Sequence, residues 1–175
     1  MAEYHILGLS NEVTAEVRRS LRAPEYGHPV LREVAGGTGP CRACLEQFKV
    51  GEEERLLFTY RPASGGGTLG APGPVFIHAS VCRQYRGTEF PPGLRSLPLV
   101  IEARASGNRI PAARRVSGTE IDRALDELFE NPEVDYLHVR HGEAGCHIAR
   151  VDREAFTNQA ADEAAPEPRP RIARA

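Results

Sequence analysis

Two pairs of soft donors constrain this chain more than any other feature. Cys41-Arg42-Ala43-Cys44 sets two thiols three positions apart, and His78-Ala79-Ser80-Val81-Cys82 sets an imidazole and a thiol four apart. A Cys-x2-Cys turn aims two sulfurs at one point, and His-x3-Cys predicts a short helix over 80–85 with both donors on one side. Three thiolates and one imidazole fill a four-coordinate shell, so the expected cofactor is zinc in a structural site with no position for water. Sulfur donors argue against magnesium, calcium or manganese. Such a centre carries net negative charge, which Arg42 and Arg83, adjacent to ligands in sequence, are expected to balance. Three other readings compete: four unrelated side chains, an iron–sulfur centre, and a thioredoxin-type redox pair. The redox pair normally opens a helix in a βαβ unit, whereas a strand pattern follows here.

A chain of 175 residues is long enough for one domain with a real core. The formal net charge of −2 provides no strong field for nucleic acid or an anionic membrane. Basic and aromatic residues interleave poorly, which also weakens a nucleic-acid reading. Arginine supplies all the basic residues but Lys49, a bias that fits genome composition, although arginine does grip carboxylates and phosphates bidentately. Cysteines with metal spacing suit a reducing cytoplasm better than a secreted disulfide scaffold. The first residues lack the basic-then-apolar pattern of a signal peptide, and no apolar run reaches membrane-spanning length.

Taken in order, Tyr4, Ile6, Leu7 and Leu9 predict an edge strand. Ser10 then offers an N-cap to a helix on which Val13, Val17 and Leu21 recur, ended by Pro24. The stretch 24–40 reads as a loop, Gly51-Glu52 as a turn, and Arg55 to Tyr60 as a strand. Residues 64–74, with Gly65-Gly66-Gly67, read as a mobile loop rather than a phosphate cradle, because no Lys-Ser/Thr and no helix follow. Val75 to Ile77 is a short buried strand delivering His78. Phe90-Pro91-Pro92-Gly93 is a turn, and Leu97 to Ala103 a strand, with Gly107-Asn108 turning back into Arg109-Ile110. Thr119 and Asp122 predict a capping box for a helix with Ile121, Leu125, Leu128 and Phe129 on one face, stopped by Asn131-Pro132. The expected fold is α+β: one domain over 1–156, with a mixed, mainly antiparallel sheet, two or three helices on one side and a zinc-tied loop region. Residues 157–175 are expected to be a disordered tail.

Asp135 to His141 and Cys146 to Val151 predict a final hairpin, with His141 opposite Cys146, Arg140 opposite His147 and His138 opposite Ala149. Leu137, Val139, Cys146 and Ile148 would then share an apolar face toward the helix, and Tyr136, His138, Arg140 and His147 a polar one. That polar face is either a solvated sheet surface or a place to bind and polarise an anionic or carbonyl ligand. His138, His141 and Cys146 are the candidate catalytic groups, the last two as a cross-strand Cys/His pair. Cys146 reads equally as a buried structural cysteine.

The motifs Pro40-Cys41-Arg42 with Leu45, Gly51-Glu52, Leu56-Leu57 with Tyr60, and Gly73-Pro74-Val75-Phe76-Ile77 carry a likeness. So do Tyr136-Leu137-His138 and Gly145-Cys146 with Ala149-Arg150-Val151. In their order and spacing, from about Tyr4 to Arg153, the chain resembles a bacterial family known as a domain of unknown function, numbered 1203. Family members differ in carrying the extra ligands, so the resemblance implies that zinc supports structure rather than shared chemistry. It implies no activity, substrate or partner.

Three functions follow as expectations. The first is a zinc-stabilised cytoplasmic protein binding a small anionic ligand through Arg42, Tyr60, Arg61, His138 and Arg140. The second is a small-molecule enzyme using His138 or Cys146/His141. The third is a protein- or nucleic-acid-interaction module. The sequence leaves the oligomeric state open.

Overall fold

The computed structural model describes residues 3–62 and 70–153. The glycine cluster of the expected mobile loop and the expected tail lie outside those residues. The described residues form two antiparallel sheets rather than one, each with its own core.

The larger sheet runs β5-β1-β9-β8-β6-β7, where β1 is Tyr4–Leu7, β5 Arg86–Gly87, β6 Leu99–Ala105, β7 Ala113–Val116, β8 Val134–His141 and β9 His147–Arg153. Strict alternation builds it. Leu99, Ile101 and Ala103 of β6 and Leu137 and Val139 of β8 are fully buried on one face, where they meet helix α2, Glu120–Phe129. On α2, Ile121, Leu125, Leu128 and Phe129 are buried at the spacing of one helical stripe. Burying a side chain of this size contributes about 1.5–3 kcal/mol, so this face dominates the stability of the larger sheet.

The smaller sheet is β2-β3-β4, with β2 Leu31–Val34, β3 Glu54–Tyr60 and β4 Gly73–His78. Leu56, Phe58, Val75 and Ile77 bury one side of it, against Val17 of helix α1, Asn11–Ser20, and against Cys41, Ala43 and Phe48. The two helices therefore serve different cores and do not share one side of one sheet.

Several local expectations are corrected. Strand β1 is not at the edge, because β5 pairs beyond it. The stretch 24–40 contains β2, whose side chains are mostly exposed, so the burial signal for a strand is missing. Ser10 does cap α1, accepting from the Val13 amide at 3.2 Å. The helix nevertheless ends at Ser20, and Leu21 takes a left-handed conformation (φ 51°) with its side chain half exposed. Thr119 makes no capping hydrogen bond, since its backbone is already helical rather than extended. Asp122 instead pairs bidentately with Arg95 at 2.7 and 2.9 Å. No helix among the described residues is long and apolar enough to cross a membrane.

In the last hairpin Arg140 does pair with His147, but the register slips between Val139 and Arg140, so Val139 meets Ala149 and His138 meets Arg150. One extra residue, Ile148, is absorbed as a bulge. Loop length alone cannot reveal it. The bulge keeps His147 on the face that carries His138.

Candidate metal centre and the arginine-lined cavity

The first functional region forms where the turn 41–44 meets the end of β4. The turn is closed by the Leu45 amide donating to the Cys41 carbonyl at 2.8 Å, and the Cys41 amide donates to the Glu46 carbonyl at 2.8 Å. Closing it forces Leu45 to a positive φ of 62°. Glycine would take that conformation without cost, and the full burial of the Leu45 side chain in the larger core offsets the strain. Strand β4 then delivers His78, whose amide donates to the Cys41 sulfur at 3.3 Å. Residues 80–85 are not helical, contrary to the expected short helix. Cys82 arrives on an irregular segment that follows the end of β4.

The four donors of Cys41, Cys44, His78 and Cys82 lie within 4.8 Å of one another. Cys41 Sγ to Cys82 Sγ is 3.8 Å, and Cys44 Sγ to His78 Nδ1 is 3.5 Å. Metal–sulfur bonds of ~2.3 Å and metal–nitrogen bonds of ~2.0–2.1 Å in a tetrahedron give edges of about 3.8 Å between sulfurs and about 3.6 Å from sulfur to nitrogen. The residues present therefore fit a four-coordinate metal ion. Crowding shifts their protons. Cys41 is held far below the ordinary thiol value, chiefly by the sulfurs of Cys44 and Cys82. Cys44 is pushed up by its contact with Cys41. His78 is pushed up to about 10, first by its contact with Cys41.

Two groups not anticipated from the sequence complete the centre. Glu53 Oε2 lies 3.2 Å from His78 Nε2, which orients the imidazole so that Nδ1 faces the sulfurs. Arg18, on the last turn of α1, donates from Nη2 to Cys82 Sγ at 3.3 Å and from Nε to the His78 carbonyl at 3.1 Å. Arg18, rather than Arg42, is the cation on the sulfur cluster. Arg83 lines the open, solvent-facing side of the site. The helical period of α1 does place Arg18 and Thr14 on one side, but nothing in the sequence aims that side at Cys82.

Arg42 points the other way. Its Nε donates to the His147 carbonyl at 2.6 Å, Nη1 to the Pro40 carbonyl at 2.6 Å, and Nη2 to Cys146 Sγ at 3.3 Å, all buried. Those partners place Arg42 beneath the second functional region, a cavity of about 210 Å³ between the two sheets.

The cavity floor is the face of the larger sheet opposite α2. That face is not solvated. Glu102, Arg104, Tyr136, His138 and His147 are all buried on it. Tyr60 of β3 covers it, with its ring 5.5 Å from that of His147. Leu7, Leu9 and Pro62 supply apolar wall, and Arg104 and Arg150 line it as cations. Glu102 accepts from Arg104 at 2.5 Å, lies 3.3 Å from Arg140, and faces His138 Nδ1 at 3.7 Å. His138 Nε2 is 2.9 Å from His147 Nδ1. Glu102 is held down at about 2 by the facing imidazole first and then by Arg104 and Arg140, against the opposing effect of burial. Burial is the main cause that lowers His138, and it pushes His147 further down, with the His138, Arg42 and Arg150 charges adding to it.

Of the five expected ligand groups, Tyr60 and His138 line the cavity. Arg42 braces it from below, and Arg140 reaches Glu102. Arg61 is elsewhere, half-buried over the Tyr26 ring with its Nε donating to that phenol at 2.8 Å. The Cys146/His141 pair has other engagements. His141 Nδ1 accepts from the amides of Glu143 and Ala144, closing the hairpin turn, while Cys146 takes Arg42. Cys146 therefore does not join the apolar face under α2. Arg104 and Glu102 were missed because a buried arginine–glutamate pair on a strand reads, by alternation, as a solvated face.

The two regions share one wall. Gly8 lies flat on the metal turn: a Cβ there would sit 2.0 Å from the Ala43 carbonyl oxygen. The Leu9 amide donates to the Arg42 carbonyl at 2.7 Å, the Tyr85 amide to the Ala43 carbonyl at 2.7 Å, and the Gln84 side chain to the Gly8 carbonyl at 2.8 Å. Gly8, Leu9 and Gln84 line the cavity as well.

No curated protein and no solved structure matches the chain. A family model described as a protein of unknown function, DUF1203, matches residues 38–153, a span that contains every candidate metal ligand and the cavity floor. The chain belongs to the DUF1203 family.

Proposed function

We propose that this is a zinc-stabilised binding protein for a small anionic ligand, with the metal bracing the wall of the ligand cavity. The anion reading rests on one observation, the surplus of cations around the cavity. Arg104 and Arg150 line it, and Arg140 and Arg42 stand behind the lining on Glu102 and on the His147 carbonyl, while the carboxylates paired with these four among the described residues are Glu102 and Asp152. Among the described residues, Arg42 has only two backbone carbonyls and a cysteine sulfur as hydrogen-bond partners. Buried charge of one sign is costly unless an opposite charge reaches it, and a bound anion supplies that charge.

Zinc is the metal that the donor set favours. Three sulfurs and one nitrogen suit a soft, tetrahedral, redox-silent ion, and no donor position is left over for water. When bound it neutralises the thiolates and fixes the turn 41–44. That turn holds Gly8 and Leu9 on one side of the cavity and Arg42 under His147. The free thiols Cys41, Cys44, Cys82 and Cys146 suit a reducing compartment such as the cytoplasm.

The test has two parts. Elemental analysis of the purified chain is expected to give one zinc per molecule, and Cys44→Ser to lose it. Titration with benzoate, a carboxylate with an apolar body to match the apolar wall, is expected to show saturable binding that Arg104→Gln weakens about tenfold, the loss of one charged hydrogen bond. A zinc-loaded, folded protein that binds no benzoate removes the anion reading. A folded protein without zinc removes the metal reading.

A further inference from the structure

The cavity floor holds a continuous chain of polar atoms, Glu102 to His138 to His147, whose far end is open. Glu102 faces His138 Nδ1 at 3.7 Å, and a carboxylate there favours the tautomer with its proton on Nδ1. His138 Nε2 is then an acceptor, so the 2.9 Å contact to His147 Nδ1 requires His147 to donate. That leaves the lone pair on His147 Nε2, which has no hydrogen-bond partner among the described residues although the ring lines the cavity. Arg104, also in the lining, is buried, and its Nε has no partner among the described residues. An open base and an incompletely paired guanidinium thus border the same space.

We propose that the cavity takes its anion together with one proton, which is bound by the His138–His147 imidazole pair. This rests on the anion reading above and specifies the ligand as a small monocarboxylate with an apolar body. The balance is simple. A carboxylate and a solvent proton enter, one N–H bond forms on His147 Nε2, and the electron pair for it comes from that nitrogen. The positive charge then passes along the chain, His147 Nδ1–H to His138, toward Glu102.

The surroundings explain why the proton waits for the anion. Glu102 and Arg104 face the pair from β6, and Tyr136 and Arg140 from β8. Arg150 approaches from β9, Tyr60 from β3, and Arg42, with Cys146 on its far side, from the metal turn. Among the described residues cations outnumber carboxylates there, so the empty site keeps both rings neutral, in line with the lowered values of both imidazoles. A carboxylate on Arg104 and Arg150 reverses that field, and the imidazolium becomes its counter-charge. The cavity volume of about 210 Å³, with Leu7, Leu9 and Pro62 on one side, leaves room for a short apolar or aromatic body.

The experiment is benzoate titration by calorimetry on the zinc-loaded full chain, at pH 7.5, in Tris and in HEPES, whose ionisation enthalpies differ. Close to one proton taken up per benzoate is expected. By linkage the dissociation constant should then rise about tenfold per pH unit between pH 7 and 8.5. His147→Gln is expected to bind more weakly and to abolish the proton exchange. Benzoate binding with no proton exchange and constant affinity overturns the inference and leaves the anion reading standing. Exchange that persists in both His147→Gln and His138→Gln overturns it too, because the proton then lies elsewhere. Absence of benzoate binding to the folded wild-type chain overturns both.

Discussion

The metal cluster and the cavity lie on opposite sides of one turn and have opposite electrostatic problems. At Cys41, Cys44, His78 and Cys82, three thiols and an imidazole converge within 4.8 Å, and Arg18 donates to the Cys82 sulfur. In the cavity, guanidinium groups converge without enough negative charge, and Glu102 is shared between two of them. Arg42 belongs to the first region by sequence and to the second by contact. The lesson is that adjacency in sequence says which backbone a residue shares, not which charge it answers. The turn works as a partition: its sulfurs face one way and its guanidinium the other.

The largest expected effect breaks both regions together. Cys44→Ser removes one of the four candidate ligands of the proposed zinc, and structural zinc contributes apparent binding energies of ~10–16 kcal/mol in small domains. Loss of zinc by elemental analysis, with loss of the cooperative thermal transition, is the expected result. Gly8→Ala tests the shared wall. The added methyl would meet the Ala43 oxygen at 2.0 Å and the Arg42 oxygen at 2.9 Å, backbone atoms that cannot swing aside. A cost of about 3 kcal/mol or more is expected by chemical denaturation, with weaker benzoate binding in whatever folds. Unchanged stability would show that the wall is not shared.

Acid separates the regions more finely. Glu102 sits at about 2 against an ordinary 4.5, so the folded state sheds its proton more readily than the unfolded chain. That stabilisation is complete above about pH 4.5 and is lost as pH falls toward 2, on the order of 3 kcal/mol in all. His138 and His147 are held below their ordinary 6.5 by burial. Their neutral forms are favoured by the fold, so stability begins to fall already below about pH 6.5. Denaturation midpoints across pH 7 to 3 should therefore decline from the histidine range onward. Glu102→Gln should flatten the steeper part below pH 4.5, whereas a curve identical to wild type there would place the acid sensitivity elsewhere.

The smallest expected effect is a control outside both regions. The Arg95–Asp122 pair is bidentate but partly exposed. Asp122→Asn is expected to cost ~0.5 kcal/mol, with zinc content and benzoate affinity unchanged.

Contiguous signals proved legible in the sequence. The Cys-x2-Cys and His-x3-Cys pairs, the strand Glu54–Tyr60, the amphipathic stripe of α2 and the final hairpin each carry their pattern within one contiguous stretch. What was not legible depends on chain reversals. Helical spacing predicts one turn between His78 and Cys82, yet the imidazole ends a strand and the thiol follows on irregular backbone, a different route to similar proximity. The bulge at Ile148 shifted His138 onto Arg150. The division into two sheets turned a face that alternation marks as wet into the floor of a cavity, which hid Glu102 and Arg104. Glu53 and Arg18 were missed because the imidazole and sulfur they touch come from distant parts of the chain.

Zinc K-edge absorption on the purified, folded chain tests the central claim most directly. One zinc per molecule is expected, with three sulfurs at about 2.3 Å and one nitrogen at about 2.0–2.1 Å. A folded chain with no metal, or one whose metal is ringed by oxygens, would contradict it.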